Sequence, residues 1–176
     1  MNEIDIGTNI KARAVAREFD RHAQPRMVAG KYQHDQNNHL VMELDDKIIE
    51  PIREIGNANM FVTQGKAWLG DVMIGVKSTE LTHVAVGSGT TAPAAGDTDV
   101  ETIIGARHVY TDRFRSSAVV TLSTYFSSTE NNGTWGNAGV FTDVSAGDMF
   151  CHSTFASPVA KSASNTQVVD FDITIS

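Results

Sequence analysis

A single cysteine, Cys151, rules out an intrachain disulfide framework. It sits in the strand-like run Asp-Met-Phe-Cys-His-Ser-Thr-Phe, where alternate side chains share a face, and it reads as a small buried hydrophobe rather than a nucleophile. Long apolar runs are missing as well: nothing approaches the roughly 20 residues needed to span a bilayer, and the first residues have no signal-peptide core. The expectation is a soluble chain kept in a reducing cytoplasm. Basic residues are few, 14 Lys and Arg against 21 Asp and Glu, for a net charge of −7. A nucleic-acid binder would show the opposite balance. Hydrophobic residues make up only 41% of the 176, so part of the chain is expected to be arm or loop beside one domain or two small ones.

Catalytic signatures are also absent. No Gly-x-Ser-x-Gly elbow occurs, and His83 and His152, both on predicted strands, read as paired or surface histidines. The loop Gly87-Ser88-Gly89-Thr90-Thr91 follows the strand-like Leu81–Val86 and invites a phosphate-binding interpretation. It lacks the Lys and the helix start that a P-loop needs, and Ala92 stands where a dinucleotide fingerprint has its third glycine. The glycines read instead as a turn that lets the chain leave a sheet.

Two clusters could hold a cation. The polar run Gln33 to His39 carries two histidines and an aspartate, but its spacing matches neither a zinc helix nor a calcium loop, and a solvated loop is the simpler reading. Asp97, Asp99 and Glu101 fall short of the six to eight oxygens calcium prefers; a helix start capped by Asp97 or Asp99 is expected there.

What is present divides into two halves. Thr8 to His22 has a narrow apolar stripe of Ile10, Ala14, Val15 and Phe19. It predicts a helix capped by Thr8 or Asn9, with Lys11, Arg13 and Arg17 on a solvated face. Leu40–Asp46 predicts a short strand. Ile48, Ile49, Ile52 and Ile55 then fit helical spacing, with Asp45 and Asp46 as caps, Pro51 near the first turn and Gly56 as the stop. A third helix begins near Thr63, presents Trp68, Leu69, Val72 and Met73, and ends at Gly75.

From Leu81 onward strands dominate. Gly105–Phe114 alternates weakly and Ala118–Phe126 better. Trp135–Phe141 and Met149–Phe155 follow, with turns at Asn131-Asn132-Gly133 and Ser145–Asp148. The last strand, Gln167–Ile175, sets Val169, Phe171, Ile173 and Ile175 on one face and Val168, Asp170, Asp172 and Thr174 on the other, as in a half-buried sheet. The predicted class is mainly β: an antiparallel β-sandwich with a lead-in helix over 61–176, preceded by an α-helical or extended arm over 1–60.

Four segments in order carry a resemblance: His83–Pro93, Ser127–Trp135, Ala138–Phe141, and Phe155–Pro158 running on to Lys161, with Gly65-Lys-Ala-Trp-Leu69 before them. Together they resemble a domain of virion structural proteins of tailed bacteriophages, over roughly 61–176. Asn137 departs from the pattern, where an acidic residue is expected.

The resemblance implies a component of a phage particle and not a position on it; the expectation is a non-enzymatic structural protein, tail fibre or baseplate associated, assembled in the host cytoplasm. Its partners would be other virion proteins and copies of itself, with no nucleic acid, membrane or cofactor, and its arm would anchor it. No catalytic, cofactor-binding or metal residue is assigned. The alternatives are a capsid decoration or cement protein, and a carbohydrate-binding module presenting Trp135 and Tyr125 to a host glycan, although Trp135 beside a turn reads better as a core plug.

Overall fold

The computed structural model describes residues 10–175. Over these residues the chain is an antiparallel β-sandwich with one helix. Its elements are β1 (Ile10–Asp20), β2 (Gln24–Pro25), β3 (Met27–Val28), β4 (Lys31–Tyr32), β5 (Met42–Leu44), β6 (Lys47–Ile49), β7 (Arg53–Phe61) and α1 (Thr63–Met73). The second half adds β8 (His83–Gly87), β9 (His108–Val109), β10 (Asp112–Ser116), β11 (Val119–Phe126), β12 (Gly133–Phe141), β13 (Met149–Lys161) and β14 (Asn165–Ile175).

Nine strands run in the order β10-β11-β14-β1-β7-β13-β12-β8-β9, every neighbour antiparallel. The order folds back on itself at β7. Its residues 53–59 pair with β1, and then Met60 and Phe61 pair with His152 and Cys151 of β13. One layer is therefore β10-β11-β14-β1 and the other β13-β12-β8-β9. Between them lies the main core, Leu122, Phe126, Val169 and Phe171 meeting Val86, Trp135, Val140 and Phe155. Fully burying one such side chain contributes about 1.5–3 kcal/mol.

The expected lead-in helix is present as α1. Gly65 and Trp68 are its buried residues, and a Cβ at Gly65 would stand 2.2 Å from the Phe150 carbonyl, so only glycine lets the helix lie this close to β13. The Trp68 ring meets the Phe150 ring edge-on at 5.6 Å, and its Nε1 donates to Thr79 Oγ1. Gly75, at φ +76°, ends the helix region as expected, while Met73 projects into solvent.

Two predicted helices are strands. Residues 10–20 form β1, paired on one side with β14 along its whole length and on the other with β7. Ala, Arg and Glu favour a helix locally, but sheet pairing on both flanks outweighs propensities of a few tenths of a kcal/mol per residue. In the strand Ala14 and Ala16 face the main core, while Val15, Arg17 and Phe19 point the other way. The Ile48–Gly56 helix is likewise replaced, by β6 and β7. Asp45 and Asp46, at φ +49° and +61°, form the two-residue turn of the β5–β6 hairpin rather than a cap. The expected caps Thr8 and Asn9 lie outside the described residues.

The expected boundary at residue 60 is no break in the sheet, because β1 pairs with β14 on one side and with β7, which runs on to Phe61, on the other. Residues 21–50 instead make a flap of short strands, β2-β5-β6 and the β3–β4 hairpin, over the outer face of that layer. There Leu40 and Met42 of the flap pack on Phe19 and Val168 as a second, smaller core, and the Tyr125 hydroxyl donates to the Ala23 carbonyl at 2.8 Å.

Candidate functional site

The glycine loop after β8 is consumed by its own surroundings. Ser88 N donates to Thr102 O, Gly89 N to Glu101 O, and Thr91 N to the Glu101 carboxylate. These are the amides a phosphate would need, and the 101–102 backbone already occupies two of them. The backbones approach so closely that a Cβ on Gly87 would stand 2.3 Å from Glu101 O, and one on Gly136 2.1 Å from Gly89 O. Asn137, wholly buried, locks the arrangement by donating both amide hydrogens, to Gly89 O at 2.8 Å and Glu101 O at 3.1 Å. A carboxylate has no hydrogens to give, so an acid at this position would make neither bond.

The three nearby carboxylates do not converge, and no helix starts there. Asp97 accepts from Ala94 N and pairs with His152 Nδ1 at 2.6 Å. Asp99 pairs with Arg107, whose guanidinium lies 3.6 Å over the Phe141 ring, and Glu101 turns to Thr91. Partial burial works against the Asp97 charge, but the Ala94 amide and His152 outweigh it and hold this carboxyl below the usual range. Among the described residues no three His, Cys, Asp or Glu side chains gather as metal ligands would. Burial pushes the Cys151 thiol far up, so it stays protonated.

The densest chemistry lies beneath the flap, on residues that the sequence pattern leaves in solvent. Arg17 of β1 and Asp170 of β14 stand on the outer face, and Arg17 Nε meets Asp170 Oδ2 at 2.7 Å with both side chains buried. Arg17 Nη1 donates to the carbonyl of Leu40 in the flap, and Ser123 Oγ donates to the other Asp170 oxygen. Two residues along the same face, Asp172 accepts from Thr121 Oγ1 and meets His39 Nε2 at 3.0 Å. His39 is anchored in turn by its own amide bond to Asp35, and His34 pairs with Asp112 at 2.8 Å while stacking on Phe114. Burial lowers the proton affinity of His39, but the hydrogen bond it donates to Asp172 and the charges of Asp170 and Asp172 outweigh burial and the Arg17 charge, and its pKa is raised.

His34, His39 and Arg17 are therefore not solvated residues, as their stretches suggest. They are the flap's attachment to the sheet. Serine, histidine and aspartate do meet here, yet each hydroxyl donates to a carboxylate and neither to the imidazole, so the contacts activate no nucleophile. A cleft of about 390 Å³ opens beside the seam, with Lys11, Arg13, Glu54, His39 and Asp172 in its walls.

The two aromatic residues considered as sugar platforms are engaged elsewhere. Trp135 is completely buried and donates Nε1 to Asn131 O at 2.7 Å, the core plug its place beside the turn suggests. Tyr125 is half-buried and its hydroxyl holds Ala23. One signal of the seam is present in the sequence: Asp170 and Asp172 repeat at period two on the most regular strand, on the face with Val168. The basic side chains that meet those two aspartates, Arg17 and His39, lie 153 and 133 residues upstream, and no local pattern announces them.

No protein-family model, no curated protein and no solved structure matches this chain.

Proposed function

We propose that this chain is a non-enzymatic structural component of a tailed-bacteriophage particle, of the tail-fibre or baseplate kind. The observation that carries the reading is the part its resembling segments play in one another's packing. The strand that leads into the loop, His83–Gly87, pairs with Asn137–Phe141, Asn137 donates to the Gly89 carbonyl of the loop, and Trp135 fastens its own turn by donating to Asn131 O. Residues spent on mutual support make a building block, and the loop amides serve the fold instead of a ligand.

The buried ionic seam supports the same reading, since it fastens the flap down instead of presenting groups to a substrate. A capsid decoration protein is the alternative within the class. The carbohydrate-binding alternative loses its main platform, because Trp135 offers no surface to a sugar. With residues 10–61 built into the sandwich, the anchoring role given to the arm passes to the residues before β1. Labelling the chain and imaging purified particles tests the reading: discrete density on the tail is the expected result, and absence of the chain from the particle would overturn it.

A further inference from the structure

We propose that the flap, residues 21–50, opens from the outer face of the layer as one unit when His34 and His39 give up their protons, while the sandwich beneath stays folded. The flap is bonded inward. Its two small sheets, β2-β5-β6 and β3–β4, share no strand pairing with the nine-stranded sheet. They are tied together by backbone bonds from Arg26 N to Val41 O, Gln33 N to Arg26 O and Val41 N to Gln33 O. A piece bonded to itself and fastened at few points is the kind of unit that opens on its own.

The bonds that cross from flap to sandwich, among the described residues, divide by charge. Two are neutral at the flap's end: Arg17 Nη1 donates to the Leu40 carbonyl and the Tyr125 hydroxyl to the Ala23 carbonyl. The ionic crossings are His39 Nε2 to Asp172 at 3.0 Å and His34 Nε2 to Asp112 at 2.8 Å. Arg17 and Asp170 both belong to the sheet, so their pair stays whole whether the flap is seated or not. Each ionic tie of flap to sheet therefore depends on an imidazole, the side chain that changes charge near neutral pH. Beneath them the apolar contact is small, Leu40 and Met42 on Phe19 and Val168.

Charges face His39 from several elements. Burial disfavours its proton, the bond to Asp172 and the charges of Asp170 and Asp172 favour it, and Arg17 of β1 opposes it. Lys11, Arg13 and Glu54 stand in the walls of the cleft alongside. The Asp35 carboxylate of its own loop is spent on the amides of Asn37 and His39. His34 faces Asp112 and the Phe114 ring of β10. The two arginines of that strand are taken up elsewhere, Arg113 by Glu80 and Arg115 by the Ser117 carbonyl. Tyr125 keeps its proton well past neutrality, since burial and the Glu130 charge hold its pKa above the ordinary value.

Linkage gives the sign. A proton held more tightly in the seated flap than in the open one favours closure below the ordinary histidine value of 6.5, and stops favouring it as pH rises through the raised value. The opening constant climbs about tenfold for each unit by which seating raises a pKa. Opening bares Phe19, Val168 and the Arg17–Asp170 pair. The inference goes beyond the assembly reading and does not depend on it.

Hydrogen exchange on the full chain, read as protection factors from pH 6 to pH 9, tests the inference. Once unseated, the short strands of the flap have no core to hold them and their amides exchange. Protection over residues 24–44 is expected to fall as pH rises, with β11 and β14 unchanged. Asp112→Asn with Asp172→Asn keeps the shape of both contacts and removes their charge. At pH 6 its flap should already be as poorly protected as the parent's at pH 9, with little further response to pH, while protected β11 and β14 amides show its sandwich folded. Flap protection that does not change with pH, flap and sandwich amides losing protection together, or a double variant with the parent's pH response would each overturn the inference. The parent's profile alone decides if the variant's sandwich loosens.

Discussion

The layer formed by β11, β14 and β1 buries both of its faces, and it does so by different means. On the inner face Leu122, Phe171 and Ala14 meet the opposite layer in an apolar core. On the outer face the same strands present Ser123, Asp170 and Arg17, covered by a flap that contributes Leu40, Met42 and His39. An apolar face gains stability wherever it is shielded from water. A buried ionic face gains it only if every charge finds its partner, since desolvating an ion costs several kcal/mol. The inner face thus tolerates approximate fit, and the outer face demands one particular seating of the flap.

Four substitutions or conditions put that contrast to the test. The largest effect is expected on the inner face: Phe171→Ala leaves a cavity in the main core and costs about 3–5 kcal/mol in urea unfolding. A similar or slightly smaller loss, about 3 kcal/mol, should follow Asp170→Ala, which strands the Arg17 charge. The double change Arg17→Met with Asp170→Leu should recover most of it, because a well-packed apolar pair replaces a buried ion pair at little cost. If the double variant is as unstable as the single one, the seam holds the flap by something other than charge balance.

The third effect depends on pH. The His39 pKa is raised above its ordinary 6.5 in the folded chain, so its contribution is fully present below about 6.5 and is lost as pH rises through the folded value. Asp97 behaves oppositely: its folded pKa is lowered, so its contribution is present above its ordinary 3.8 and is lost as pH falls through the folded value. Thermal melting followed upward from pH 6 should decline less steeply in Asp172→Asn than in the parent. The smallest effect is a gain. Gln167 is wholly buried on the inner face of β14 and neither of its amide atoms has a protein partner, so Gln167→Leu should raise stability by about 1 kcal/mol in the same urea titration.

The faces also differ in how far the sequence reveals them. The inner residues of β11 and β14 follow period-two patterns, and with α1 and the Gly133 turn they make the sandwich legible from the chain alone. β1 is misread because Ala14, Ala16 and the charged residues around them, Arg13, Arg17 and Glu18, favour a helix, and only pairing with β14 and β7 makes them a strand. The β5–β6 hairpin is misread because its turn residues are two aspartates at positive φ, where a glycine would have signalled it. The seam is hidden for a further reason: Arg17 and Asp170 are 153 residues apart, and His39 and Asp172 are 133 apart. Each looks like an ordinary surface charge until the other is placed beside it.

The position of β1 bears on how the molecule comes into being. This early strand is flanked on its full length by β14, the last one, so the layer cannot close until residues 165–175 have been synthesised. Until then β1 has β7 for one edge and no partner strand for the other. Pairings of such long sequence separation slow folding, because loop closure must be completed before contacts compensate it. β1 is among the last strands of this sheet to find its place.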